Sequence, residues 1–191
     1  MFKTKLLLVF LFVGASLTSF AQIQGVFAVK VGPSSSKTLI DGDSPYISKF
    51  KTAFHLGALY RLRYHRVVLQ PELLYSLKGG TFKESTGITR NNYNYLSVPV
   101  LLGWVPTEGL VLQAGPEFSY ALNTPTSGGP GQRYDTGIAV GVHYDFLDLL
   151  EKCSLHLRYI YGLNNVSNVA GANYYNRTFQ VSLVYNFYKK K

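Results

Sequence analysis

Over most of its length this chain changes character with every residue. In the stretch from Gly109 to Leu122, Leu110, Leu112, Ala114, Pro116, Phe118, Tyr120 and Leu122 fall on one side of an extended backbone. Val111, Gln113, Gly115, Glu117, Ser119 and Ala121 fall on the other. Successive side chains of a strand point to opposite faces, so a period of two predicts a strand with two unlike faces. The same split recurs in Thr52–Tyr64, Arg66–Lys78, Tyr134–Phe146, Ser154–Leu163 and Arg177–Tyr188, and less cleanly in Gln22–Val31 and Tyr93–Trp104. One face carries Leu, Val, Phe and Tyr. The other carries Gly, Ser, Gln, His, Arg and Glu.

Eight strands of about ten residues or more match the length of a tilted strand that crosses a bilayer. Their connections alternate in length. Gly32–Phe50, Gly79–Asn92, Asn123–Arg133 and Asn164–Asn176 are long and rich in Gly, Ser, Thr, Asn and Pro. Those around His65, Pro106–Glu108 and Leu147–Cys153 are short. Hydrocarbon offers no water to an unpaired backbone group, so a lipid-facing sheet must close on itself. The expected fold is all-β, an eight-stranded antiparallel up-and-down transmembrane β-barrel with long loops outside and tight turns in the periplasm. Tyr60, Tyr64, Tyr75, Trp104, Tyr120, Tyr144, Tyr159 and Tyr161 fall toward strand ends on the apolar face, where two interfacial girdles belong.

Composition supports the same class. Charged residues make up 15% of the chain, against about a quarter in a soluble domain. The formal charge of +9 includes Lys3, Lys5 and the terminal Lys189–Lys191. The remaining basic residues are scattered and form no basic helix, which argues against nucleic acid and toward an anionic membrane surface. Cys153 is the single cysteine, so neither an internal disulfide nor a cysteine-based metal site can form.

Residues 1–21 read as a signal peptide. Lys3 and Lys5 precede the apolar run Leu6–Val13, and Ser19-Phe20-Ala21 places small residues where cleavage before Gln22 is expected. No later stretch reaches about 18 consecutive apolar residues, the usual minimum for a spanning helix. Residues 22–191 are expected to form the barrel, in the outer membrane of a Gram-negative cell. Outer-membrane lipid and lipopolysaccharide are the expected surroundings.

The inward face carries Lys30, Arg61, Arg63 and Arg158 against Glu72, Glu117, Asp135 and Asp145. An eight-stranded barrel is only wide enough for side chains to fill, so these charges must pair or meet water. Counting around the turn at His65 sets Arg61 opposite Gln70 and diagonal to Glu72. Counting around Leu147–Cys153 brings Asp145 near His156 and Arg158. A lumen network of Arg61, Arg63, Gln70, Glu72, Glu117, Asp145, His156 and Arg158 is therefore expected, as structural ion pairs; the alternative is a narrow porin-like channel for small solutes, lined by Arg61, Arg63, Glu72 and Glu117. His55, His65, His143 and His156 raise the question of catalysis, but the chain shows no nucleophile elbow and no HExxH motif. No enzyme, catalytic residue, cofactor or metal is expected. Tyr46, Tyr174 and Tyr175 are candidate loop contacts for a protein partner. A soluble lipocalin-like barrel is the opposing architecture, with its Leu and Tyr faces turned inward around an apolar ligand.

The segment Leu69-Gln70-Pro71-Glu72-Leu73-Leu74-Tyr75-Ser76-Leu77-Lys78-Gly79-Gly80 resembles a strand of the PorT-type outer-membrane β-barrel family, often labelled "porin family protein". Tyr95–Leu102, Leu112–Tyr120, Asp135-Thr136-Gly137 to Gly141, Arg158–Leu163 and the final Tyr185-Asn186-Phe187 follow in the family's order. Ser97 departs from it, since the family often has Glu there. The resemblance implies an eight-stranded outer-membrane barrel. Its founding member is associated with secretion across the outer membrane, which makes a secretion assembly a candidate partner.

Overall fold

The computed structural model describes residues 24–42, 47–84, 87–90, 93–123, 130–146, 150, 152–167 and 172–187. Residues 1–21, expected as a signal peptide, and Tyr46 lie outside them.

Among the described residues eleven strands follow one another: β1 (Gln24–Gly42), β2 (Ile47–Lys49), β3 (Lys51–Tyr64), β4 (Val67–Lys78), β5 (Thr81–Glu84), β6 (Gly87–Arg90), β7 (Tyr93–Thr107), β8 (Leu110–Ala121), β9 (Tyr134–Asp145), β10 (Cys153–Gly162) and β11 (Ala172–Phe187). Eight of them close into one antiparallel barrel in the order β1-β11-β10-β9-β8-β7-β4-β3. The first and last strands seal it, pairing from Phe27–Phe187 to Gly42–Ala172. The expected fold class holds.

The alternation read from the sequence sets which face each residue takes. In β4 the even-numbered residues Val68, Gln70, Glu72, Leu74, Ser76 and Lys78 are buried, while Val67, Leu69 and Leu73 are exposed. In β9 and β10, Asp135, Ala139, His143, His156, Arg158 and Ile160 are buried, while Ile138, Val140, Val142, Tyr159 and Tyr161 face out. The apolar surface is therefore on the outside and the polar surface inside. That is the reverse of the lipocalin arrangement, whose apolar faces turn inward.

The strands run further than the sequence suggested. β1 continues through Pro33, Ser34, Ser35 and Ser36 to Gly42, and β11 begins at Ala172. The expected loop Gly32–Phe50 is thus largely strand, and so is the end of Asn164–Asn176. Parts of Gly32–Phe50 and Gly79–Asn92 build a second sheet of order β2-β5-β6. A run of small polar residues signals a loop in a water-facing protein. Here Ser34, Ser36 and Thr38 sit at inward positions of a polar lumen, where such residues suit a strand. At 19 residues, β1 exceeds what a bilayer crossing needs, about 9–11. The excess stands beyond the apolar band at the end carrying the long connections.

The opposite end has tight turns. Tyr64 pairs with Val67 around His65, whose φ is 52°, and Thr107 pairs with Leu110 around Gly109, whose φ is 83°. Two-residue hairpins favour such left-handed conformations because they match the twist of the flanking strands.

Candidate functional site: the polar lumen

The inward faces of the eight strands carry three tiers of polar contacts. Nearest the tight turns, Arg61 Nε donates to Gln70 Oε1 at 3.1 Å, and its Nη1 contacts both carboxylate oxygens of Asp145, at 3.2 and 3.3 Å. Its Nη2 lies against the ring nitrogens of His143. Asp145 also pairs with His143 Nε2 at 2.9 Å and accepts from Ser154 Oγ.

Glu72 is the hub of the middle tier. Its Oε2 accepts from Lys30 Nζ at 2.7 Å, and its Oε1 accepts from Gln70 Nε2 at 2.7 Å and from Arg158 Nη2. Gln70 ties the two tiers together, accepting from Arg61 at its Oε1 and donating to Glu72 from its Nε2, and Gln113 Nε2 donates to the same Oε1 at 3.0 Å. In the upper tier Lys78 Nζ donates to Glu117 Oε1 at 2.8 Å and to Ser119 Oγ at 3.0 Å. Ser119 meets Ser97, and Asn176 donates to Asp135 at 2.8 Å.

Two of these ion pairs cross the whole barrel. Arg158 is on β10 and Glu72 on β4, four strands apart whichever way the ring is followed. Arg61 on β3 and Asp145 on β9 are likewise diametrically opposed. Apolar side chains occupy much of what remains. Val68, Val105 and Val111 cluster near the tight turns, Leu101, Ala139 and Ile160 near mid-height, and Tyr93, Tyr95 and Ala121 toward the far end. The lumen is packed with side chains, as the width of an eight-stranded barrel leads one to expect.

Among the residues expected in the lumen network, Arg61, Gln70, Glu72, Asp145 and Arg158 make direct contacts within it, and Glu117 belongs to the upper tier. Three placements differ from expectation. Asp145 binds Arg61, His143 and Ser154 rather than His156 and Arg158. His156 packs its ring 5.3 Å from that of His143. Arg63 leaves the lumen for the turn region, where it donates to Glu108 at 2.8 Å and to the His65 carbonyl at 2.9 Å. The Arg63 guanidinium holds the exposed Glu108 carboxyl below the usual carboxylate range. Lys78 and His143 were not expected in the network. Lys78 shares the parity of Gln70, Glu72 and Ser76, and that signal would have found it. Of the expected loop contacts, Tyr174 lies within β11, 4% exposed, and Tyr175 is half-buried on the outer face. The early start of β11 explains both, since alternation turns Tyr174 inward.

The lumen does not assemble acyl-transfer chemistry in the described residues. His55 Nε2 meets Ser182 Oγ at 2.7 Å, yet His55 Nδ1 has no carboxylate to orient it. Ser154 bonds to the acid Asp145, so no imidazole stands between them to take the hydroxyl proton. No group of three metal-ligating side chains is found among the described residues.

Several solved structures resemble the chain. Ail, the attachment invasion locus protein of Yersinia pestis, is 18% identical over 86% of this chain and 99% of that one, with a TM-score of 0.47. Neisserial surface protein A is 11% identical over 84% and 97%, with a TM-score of 0.44. The N-terminal β-barrel domain of Pseudomonas aeruginosa OprF is 16% identical over 86% and 100%, with a TM-score of 0.40. No curated protein matches this chain. A family model described as "Outer membrane protein beta-barrel domain" matches residues 20–168. With the lipid-type face outside, the polar face inside and that match over most of its length, this chain belongs to the outer-membrane-protein β-barrel family.

Proposed function

We propose that the chain is a small, non-conducting outer-membrane barrel of the PorT type that works through the surface it presents outside the cell, as a structural, binding or secretion-accessory protein. Residues 1–21 direct its export, and the tight turns face the periplasm. The observation that carries this reading is the pair of ion pairs spanning the full width of the lumen, Arg158–Glu72 and Arg61–Asp145. Charges locked across a filled interior leave the protein little to do along its axis. What remains is the rim, where long connections and overlong strands stand clear of the apolar band. Loops held on a rigid scaffold are where binding is commonly placed. The motif order from Leu69 to Phe187 supports the PorT-type assignment.

Conductance of the refolded chain in a planar bilayer tests the reading. Folded, inserted protein is expected to give no discrete current steps. Reproducible steps would replace it with a narrow porin-like channel lined by Arg61, Glu72, Glu117 and Arg158.

A further inference from the structure

The outward face of the barrel is almost free of charge. Among the described residues at outward positions of the eight barrel strands, the charged ones are Lys37 and Asp41 on β1 and Arg177 on β11. All three stand together at the seam where the first and last strands meet. Lys37 and Arg177 are directly opposed in register. Like charges placed so destabilise a sheet unless something offsets them.

Their height in the barrel is informative. On β11 the outward residues Phe179, Val181, Leu183, Tyr185 and Phe187 form an unbroken apolar column, and Arg177 is the next outward residue beyond it. Arg177 therefore sits where hydrocarbon gives way to headgroups, on the side away from the tight turns. Tyrosines mark that boundary. Tyr161 on β10 is directly opposite Arg177, and Tyr175 is two residues further along β11.

The guanidinium is held firmly. It lies 3.5 Å from the Tyr161 ring centroid and 5.8 Å from that of Tyr175, and its Nη1 donates to the carbonyls of Gly162 at 2.7 Å and Asn176 at 3.0 Å. No carboxylate pairs with it among the described residues, and Nε and Nη2 have no acceptor there. Lys37 Nζ likewise lies over an aromatic ring, that of Phe50, at 5.7 Å. Beside these cations is a cavity of about 550 Å³ lined by Leu39, Asp41, Tyr161, Leu163, Tyr175 and Arg177, with Ile40 and Gly162.

We propose that this rim cavity is a binding site for the phosphate monoester of an outer-leaflet lipid headgroup. Arg177 supplies a pre-positioned planar fork, which matches phosphate oxygens two at a time. Lys37, outside the lining but directly across the seam from Arg177, supplies a second positive charge, and the phosphate offsets their mutual repulsion. Tyr161 and Tyr175 wall the site, Leu39 and Leu163 line its outer side, and the outward column that begins at Phe179 gives the attached chains an apolar surface continuous with the membrane. Asp41, the one carboxylate in the lining, stands four residues beyond Lys37 and away from the apolar column, where it suits a headgroup hydroxyl rather than the phosphate. The proposal deepens the reading of the chain as an outer-membrane barrel working at its outer rim, and rests on it.

The test uses the full folded chain in nonionic detergent micelles, offered equal amounts of a short-chain phosphatidic acid and the phosphatidylcholine of the same chains. Bound lipid is counted by native mass spectrometry. Phosphatidic acid is expected to be preferred about tenfold, the scale of a charge-assisted bidentate contact. In K37Q/R177Q the preference should fall to about twofold or less, and in R177K, which keeps the charge but loses the fork, to an intermediate value of about threefold. R66Q/K152Q, an equal loss of two charges at the turn end, should retain the wild-type preference. An unchanged preference in K37Q/R177Q overturns the site. If that variant does not fold, an unchanged preference in R177K overturns it instead. Displacement of phosphatidic acid by inorganic phosphate at the same concentration would make this a free-anion site and reject the lipid source. The underlying barrel reading fails separately, if unboiled and boiled wild-type protein migrate alike on a gel.

Discussion

At the scale of single residues, the stability of this barrel hangs on a carboxylate shared by two cations. Glu72 is fully buried and accepts from Lys30, Gln70 and Arg158. Moving three charges out of water is costly, and their mutual attraction repays that cost only while every partner is present. Removing the shared anion leaves Lys30 and Arg158 as buried cations with no counter-charge at the hub. Glu72→Ala is therefore expected to destabilise the protein by about 3–5 kcal/mol. The midpoint of urea unfolding in lipid vesicles measures it, followed by fluorescence of Trp104. This is the single tryptophan, and it stands on the outer face. A midpoint that does not move would show that Glu72 is dispensable. The inward orientation of Arg61, Glu72 and Arg158 was legible in the sequence, because parity fixes it. The Arg61–Gln70 contact was legible too, since a two-residue turn sets the register of its hairpin. The partner of Asp145 is not legible this way, because counting around a turn reaches adjacent strands only and Arg61 lies across the lumen.

At the scale of elements, the seam between β1 and β11 is the joint on which closure depends. The ladder runs through Val31–Leu183 and resumes at Ser34–Gln180, skipping Gly32 and Pro33. Proline has no N–H to give to a ladder. At Gly32 the strands approach so closely that a Cβ would lie 1.8 Å from the Val181 carbonyl oxygen and 2.9 Å from the Ser182 Cα. Those are backbone atoms, so a side chain there must push the two strands apart. Gly32→Ala is expected to destabilise the barrel by about 1–3 kcal/mol, the usual range for overpacking. Amide exchange should accelerate at Val31 and Ser34 while the β4–β7 ladder keeps its protection. Equal acceleration in both places would argue against a local defect at the seam. The Gly-Pro-Ser-Ser-Ser sequence here reads as a loop by every local rule. It is strand because two neighbouring strands supply the pairing that local propensity does not.

At the scale of the whole molecule, the barrel is arranged inside out relative to a soluble protein. Val140 lies on the outer face of β9 and is 47% exposed, flanked by the exposed Ile138 and Val142. If that face meets hydrocarbon, an arginine there is costly in a depth-dependent way. Val140→Arg is expected to destabilise the vesicle-embedded protein by about 2–4 kcal/mol. A barrel whose outer face met water would accept the same change with little effect, so the urea midpoint in vesicles separates the two.

The sequence by itself determined which residues face in and which face out, and hence the class of fold. Both follow from a period of two, which no tertiary contact can alter without flipping a whole strand. It also determined the order of long and short connections, and so which end carries the tight turns. Only the tertiary structure decided how far each strand runs, because strand ends depend on whether a neighbour is there to pair with. It alone decided which charges meet across the lumen, because closure and strand stagger bring together residues more than eighty positions apart, such as Arg61 with Asp145 and Arg158 with Glu72. It also gathered Lys37, Tyr161 and Arg177 at the seam, a grouping that exists only once the first strand has paired with the last.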